Sequence, residues 1–255
     1  MGRERVMVMI KLVSIHKKIM NKKLIIFDID GTLLYSNKID SQCFADTYKK
    51  VYKISFPTID WSSYPHVTDD TIFKTVIKEH FQRNVEVDEM HCFQNEFVNL
   101  IQERRIAQPE AFKEVPHARK MIERLLADDS YEVGIATGGW KRPAFVKLNH
   151  IGIPMSQLHM SFADGNPTRE DIIKGVFQQT DAQKMKFEKV VYVGDAPWDV
   201  KTTRNMNIPF IGIRRTGDVD VLRKLGAKTI INDYTNSELF LSAIDTAQPP
   251  KKVKG

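Results

Sequence analysis

Leu24-Ile25-Ile26-Phe27-Asp28-Ile29-Asp30-Gly31-Thr32-Leu33-Leu34 is the stretch on which the rest of the chain turns. Four apolar residues run into two carboxylates at alternate positions and then break at a glycine. That is the pattern of a buried parallel strand delivering acids beyond its carboxyl end. Open α/β sheets bind their ligands at that end. A strand has a period of two, so Asp28 and Asp30 point to one side. Two like charges held that close need a shared proton or a cation. Magnesium, a hard ion that prefers oxygen ligands, meets that need. A pair of solvated loop acids would need neither, and the choice between the readings rests on three later segments.

Two of those segments put a polar group where a predicted strand stops, and the third puts a cation at the start of a helix. Tyr131-Glu132-Val133-Gly134-Ile135-Ala136 reads as a second strand, and Thr137-Gly138-Gly139 follows it directly. A hydroxyl and a flexible turn exposing backbone N–H groups suit a phosphoryl oxygen. Val190-Val191-Tyr192-Val193 reads as a third strand, ending in Gly194-Asp195-Ala196-Pro197-Trp198-Asp199. Asp195 is thus placed as Asp28 is, while Asp199 opens the next helix, where it can cap N–H groups or support a metal site from behind its ligands. Trp198 reads as packing. A helix beginning Thr168-Arg169-Glu170-Asp171 carries a cation at its first turn, where the helix dipole prefers acids. That local conflict singles out Arg169, with Lys174 one turn further in as the competing candidate. Residues 158–162 read as a weak strand, Ile208–Ile213 and Thr229–Ile231 as two more, and no internal repeat occurs.

Between the first strand and Val115 the apolar spacing is helical. Phe44, Tyr48, Val51 and Tyr52 form one stripe, Ile72, Phe73, Val76 and Ile77 a second, and Phe93, Phe97, Leu100 and Ile101 a third. Stripes of this kind are helix core. The loop from Pro57 to Asp70 holds His66, Thr68 and Asp69, which either meet a substrate or serve as helix caps. A helical insert leaving the chain just above the first strand would form a movable lid. Met121, Ile122, Leu125 and Leu126 mark a further helix opened by Pro116.

The bulk composition sets the outer limits. The chain has 255 residues, 42% of them hydrophobic and 27% charged, ordinary for a globular protein with room for a core and an insert. No apolar run is long enough to span a membrane, and the early charges interrupt any signal peptide. Cys43 and Cys92 imply no disulfide framework, no cysteine or histidine spacing points to zinc, and a reducing cytoplasm is the expected location. Both cysteines read as buried packing residues. The net charge of +6 comes from the ends: residues 1–23 hold seven Lys or Arg against one Glu, and Lys251, Lys252 and Lys254 add three more, which leaves the body at −3. A basic tail can touch nucleic acid or anionic lipid weakly, but no basic face interleaved with aromatics supports specific readout.

Taken in order, Asp28-Ile29-Asp30-Gly31-Thr32, Thr137-Gly138, Arg169, and Gly194-Asp195 with Asp199 resemble the motifs of the haloacid dehalogenase superfamily of phosphohydrolases, over about residues 23–235. The helical insert is similar to the cap of the subgroup containing phosphoglycolate phosphatases and β-phosphoglucomutases. The resemblance implies an α/β fold: a Rossmann-like parallel sheet core at 23–35 and 116–247, with a helical cap at 36–115 inserted after the first strand. A basic extension at 1–22 and a disordered basic tail at 248–255 complete the expected organisation. One departure is that the third motif is usually lysine, and here Arg169 takes its place; guanidinium and ammonium are not interchangeable.

The resemblance further implies a magnesium-dependent phosphatase acting on a small phosphorylated metabolite. Asp28 would be the nucleophile, forming an aspartyl-phosphate, and Asp30 the general acid and base. The metal would be held by the Asp28 carboxylate, the Asp30 backbone carbonyl and Asp195, and the phosphoryl oxygens by Thr137, Gly138 and Arg169. An acid at position 30 argues against carbon–halogen cleavage. A sugar phosphomutase on the same fold, or a catalytically silent binding protein, are the alternatives. Neither the individual ester nor the oligomeric state is expressed in these motifs.

Overall fold

The computed structural model describes residues 22–214 and 219–252. Six parallel strands form one sheet: β1 (Lys22–Phe27), β2 (Tyr131–Ala136), β3 (His159–Ser161), β4 (Phe187–Gly194), β5 (Phe210–Ile213) and β6 (Thr229–Ile231), in the order β3-β2-β1-β4-β5-β6. Leu24 to Phe27 are fully buried, because helices cover both faces of the sheet and leave no polar side to alternate with. The chain runs outward from β1 through β2 to β3, then crosses back to lay β4 on the other side of β1. That reversal opens a crevice at the carboxyl ends of β1 and β4, the place where this class of sheet takes its ligand. The expected fold class is present.

The insert consists of α1 (Asn37–Tyr52), α2 (Asp69–Phe81) and α3 (Val87–Ala107) with short 3-10 turns at Trp61–Ser63 and Pro109–Phe112. Its predicted stripes meet in one aromatic cluster: Phe44 lies against Phe93 and Phe97 at ring-centre distances of 5.2 and 5.4 Å, and Phe73 against Phe93 at 4.3 Å. The cluster is completed from outside the insert. Trp140, which follows the turn after β2, stacks on Phe44 at 5.7 Å and is fully buried. Helices α4 (Ala118–Leu126), α5 (Lys141–His150), α6 (Arg169–Ala182), α7 (Pro197–Asn205), α8 (Val219–Lys224) and α9 (Ser237–Thr246) follow in chain order, β4 separating α6 from α7.

Three expectations need correcting. The tail expected to be disordered from 248 is tied down as far as it is described: Phe210 N–H donates to the Gln248 carbonyl at 3.2 Å and Lys251 N–H to the Gly226 carbonyl at 3.1 Å, and Pro250 is buried. A pairing of backbone to backbone was invisible in a stretch of Pro and Lys. Lys22, assigned to the extension, is the first residue of β1; residues 1–21 and 253–255 lie outside the described residues. Cys43 is buried as expected, but Cys92 is exposed. No described helix is long and apolar enough to cross a membrane.

Candidate active site

In register, Phe27 of β1 stands opposite Ile135 of β2 and Val193 of β4, so the three strands release their chains at one height. Asp28, Thr137 and Asp195 emerge there together. Asp28 is only 2% exposed, and its Oδ1, like Oδ1 of Asp195, is buried with no hydrogen-bond partner. Asp28, Asp195 and Asp199 each offer an oxygen, all within 4.8 Å of one another. Asp199 is already engaged: Oδ2 accepts from the N–H groups of Asp195 and Ala196 at 3.2 and 3.0 Å, and Oδ1 from Arg169 Nη1 at 2.9 Å. The two orphaned oxygens therefore belong to Asp28 and Asp195. Gly31, at φ +79°, lets the chain fold back against Asp195; a Cβ there would lie 2.1 Å from Asp195 Oδ2.

Burial pushes the Asp28 carboxyl up to about 7, with the Asp199 and Asp30 charges adding and Arg169 opposing. Burial likewise holds Asp195 well above the usual carboxylate range. Two buried carboxyls with unpartnered oxygens and too little positive charge are what a hard divalent cation would complete, and an all-oxygen donor set fits magnesium.

Beside them lies a cavity of about 100 Å³ whose wall includes Asp28, Asp30, Thr137, Gly138 and Arg169. Arg169 caps nothing on its own helix; Thr168 does that, accepting from Asp171 N–H. Its guanidinium turns inward instead, 3.7 Å from Asp28 Oδ1, and donates from Nε to the Val67 carbonyl of the insert at 3.1 Å. Tyr192 O–H, which donates to the Ala136 carbonyl, braces it at 3.4 Å. Lys174 is on the surface, its side chain 58% exposed and paired with Asp171, so Arg169 is the cation brought to the site. Gly138 is approached so closely by Val67 O and Arg169 Nη2 that a Cβ would sit 2.6 and 2.7 Å from them. Trp198, expected as packing, stands in the cavity wall beneath the Arg169 guanidinium, 5.8 Å from it. Thr32 is buried with its hydroxyl unpartnered and takes no part in that wall.

The loop candidates separate. Thr68 is the cap of α2, accepting from Thr71 N–H at 3.2 Å. His66 is exposed and borders a neighbouring groove. Asp69 reaches the cavity, with Oδ2 accepting from Trp140 N–H at 2.9 Å and its carboxyl held well above the ordinary range by burial first and Asp40 next.

Three residues at the site went unread in the sequence. Lys147 on α5 is 2% exposed and donates to both oxygens of Asp30, at 2.7 and 2.6 Å. Its ammonium also lies 2.5 Å from Asp40 Oδ1 of α1. Ser36 precedes α1 in the cap position, yet its hydroxyl donates to Asp30 Oδ1 and makes no cap hydrogen bond. The signal for Lys147 was its spacing: it shares the buried face of α5 with Pro143, Ala144 and Leu148. An ammonium on an apolar face needs a carboxylate waiting for it.

Comparison with known proteins identifies the family. A curated relative, glycerol-1-phosphate phosphohydrolase 2 of Saccharomyces cerevisiae, is 26% identical over 217 residues, 82% of this chain and 81% of its own. Among solved structures, a hydrolase from Pseudomonas syringae superposes with a TM-score of 0.65 at 15% identity, covering 86% of this chain and 98% of that one. A β-phosphoglucomutase from Clostridium difficile superposes at 0.62 and 14% identity, covering 89% and 97%. A family model described as haloacid dehalogenase-like hydrolase matches residues 25–213, from the first strand through the fifth. The chain belongs to the haloacid dehalogenase-like hydrolase family.

Proposed function

We propose that the protein is a magnesium-dependent phosphatase of a small alcohol phosphate, working through an aspartyl-phosphate on Asp28. The observation that carries the reading is the buried, unpartnered Asp28 Oδ1 at the wall of a cavity it shares with Thr137, Gly138 and Arg169. Asp28 and Asp195 would hold the metal with the Asp30 carbonyl, and Asp199 would keep its place behind them by binding the Asp195 and Ala196 N–H groups. The bound ion would supply positive charge that ionises these acids and offsets the charge of the ester.

In the first half-reaction an Asp28 oxygen attacks phosphorus, and the bond to the alcohol oxygen breaks with its electron pair. Asp30 gives that oxygen a proton. In the second, water attacks phosphorus, Asp30 takes its proton, and the Asp28–phosphoryl bond breaks to release phosphate. Arg169 supports this role because its fork meets phosphoryl oxygens in a fixed geometry, and Tyr192, Asp199 and Val67 hold it in place. We favour a glycerol-phosphate-like ester over the bisphosphorylated hexose of a mutase cycle. The named relative, a glycerol-1-phosphate phosphohydrolase, supports the same choice. A reducing cytoplasm is the location this reading carries, in line with two free cysteines.

Purified protein is expected to hydrolyse p-nitrophenyl phosphate with magnesium, to stop on chelation, and to lose about 10⁴-fold or more in kcat as Asp28→Asn. Retained turnover in that variant would falsify the nucleophile. Isomerisation of a sugar phosphate without phosphate release would show a mutase instead.

A further inference from the structure

Lys147 does something that neither packing nor the family match accounts for. It occupies an apolar register on α5, where leucine would pack without desolvating a charge, and it is the one lysine among the buried described residues. Burying an ammonium is costly unless its geometry and partners are good. Here they are: both Asp30 oxygens and Asp40 Oδ1 lie within 2.7 Å of it.

We propose that Lys147 is a positioning residue that, with Ser36, fixes the Asp30 carboxyl so that one site on it faces the leaving oxygen of the substrate. This rests on the phosphatase reading. A carboxylate offers about four lone-pair sites. Lys147 takes one on each oxygen and the Ser36 hydroxyl takes another on Oδ1, which leaves a site on Oδ2 in a group that borders the cavity. Without the clamp, Asp30 at the tip of a strand would turn about its side-chain bonds. Proton delivery tolerates little of that, since a productive donor must be held to about 0.5 Å and 10–20°. Asp40 holds the other side of the ammonium and ties the clamp to α1, the first helix of the insert. No proton need leave Lys147. The proton that the alcohol oxygen gains comes from Asp30, and Asp30 regains one from water.

The test separates protonation of the leaving group from everything else. p-Nitrophenyl phosphate and benzyl phosphate have similar bulk, but p-nitrophenolate leaves without a proton whereas benzyl alkoxide requires one. The measurement is the first-turnover burst of each alcohol in Lys147→Met and in the charge-balanced double variant Lys147→Met/Asp40→Asn. The double variant keeps the question open to refutation should the single one fail to fold. The benzyl alcohol burst rate is expected to fall about 10²-fold, the lower end of what a general acid contributes, while the p-nitrophenol burst stays within about threefold of wild type. The magnesium-induced rise in thermal midpoint should persist, showing the Asp28–Asp195 end undisturbed. Equal losses on both substrates, or none on either, would overturn the proposal. An inactive wild type is a different outcome, and would bring down the phosphatase reading beneath it.

Discussion

Asp28 sits where solvent cannot screen it, and the consequence can be measured without any substrate. Its carboxyl is held near 7 by burial, against an ordinary value of 3.8, so the fold binds a proton that the unfolded chain releases. The stability this brings is complete below the unfolded value and is lost as pH rises through about 7. Asparagine cannot titrate. In metal-free protein Asp28→Asn should therefore melt several degrees above wild type at about pH 8, with the gap narrowing as pH falls and closing only towards the unfolded value of 3.8. Thermal midpoints in chelator check this, and a gap that does not change with pH would mean the carboxyl is not strained by burial. At this scale the sequence was most legible where a polar residue follows an apolar run, because a strand's end locates its neighbour without tertiary knowledge. Asp28, Asp195 and Thr137 were found that way. Lys147 and Asp40 were not, since one sits in the last turn of α5 and the other in the first turn of α1, and each gains meaning only when the two helices come together. Ser36 stands in the cap position of α1, and its hydroxyl serves Asp30 instead.

The turn after β2 and the insert above it are fastened to each other through one element boundary. Asp69 N–H donates to the Gly138 carbonyl at 2.8 Å, Trp140 N–H donates back to Asp69, and the Trp140 ring fills the gap among Phe44, Phe73, Phe93 and Phe97. Replacing it with alanine should cost about 3–5 kcal/mol in chemical denaturation, the usual range for emptying a large aromatic site. Trp140→Phe should retain most of that, because the indole N–H has no partner to lose. A small loss in the alanine variant would show that the helices close over the gap unaided. The three stripes announced helices packed on one another. That a residue of the sheet domain completes their core was not announced, as Trp140 follows two glycines and precedes α5 without belonging to either pattern.

For the molecule as a whole, the order of the strands does the placing. β1 is central, the chain reverses beside it, and the acids from β1 and β4 meet at the break. If they share a cation, the folded state binds it and the unfolded chain does not. Magnesium at about 100 times its dissociation constant should then stabilise by about 2.7 kcal/mol, read as a rise in thermal midpoint that Asp195→Asn abolishes. An unchanged midpoint in wild type would remove the metal from the scheme. The alternation of strands and helices made this architecture readable, whereas the docking of residues 248–252 depends on pairing between backbones remote in sequence.

Arg169 grips the insert's backbone at Val67 and stands beside Asp28 with the same guanidinium. An ester and the inorganic anion it yields present that fork with like oxygens. Whatever affinity the site has for its reactant it must largely share with its own waste. On the phosphatase reading, inorganic phosphate is therefore expected to compete with the ester for this guanidinium.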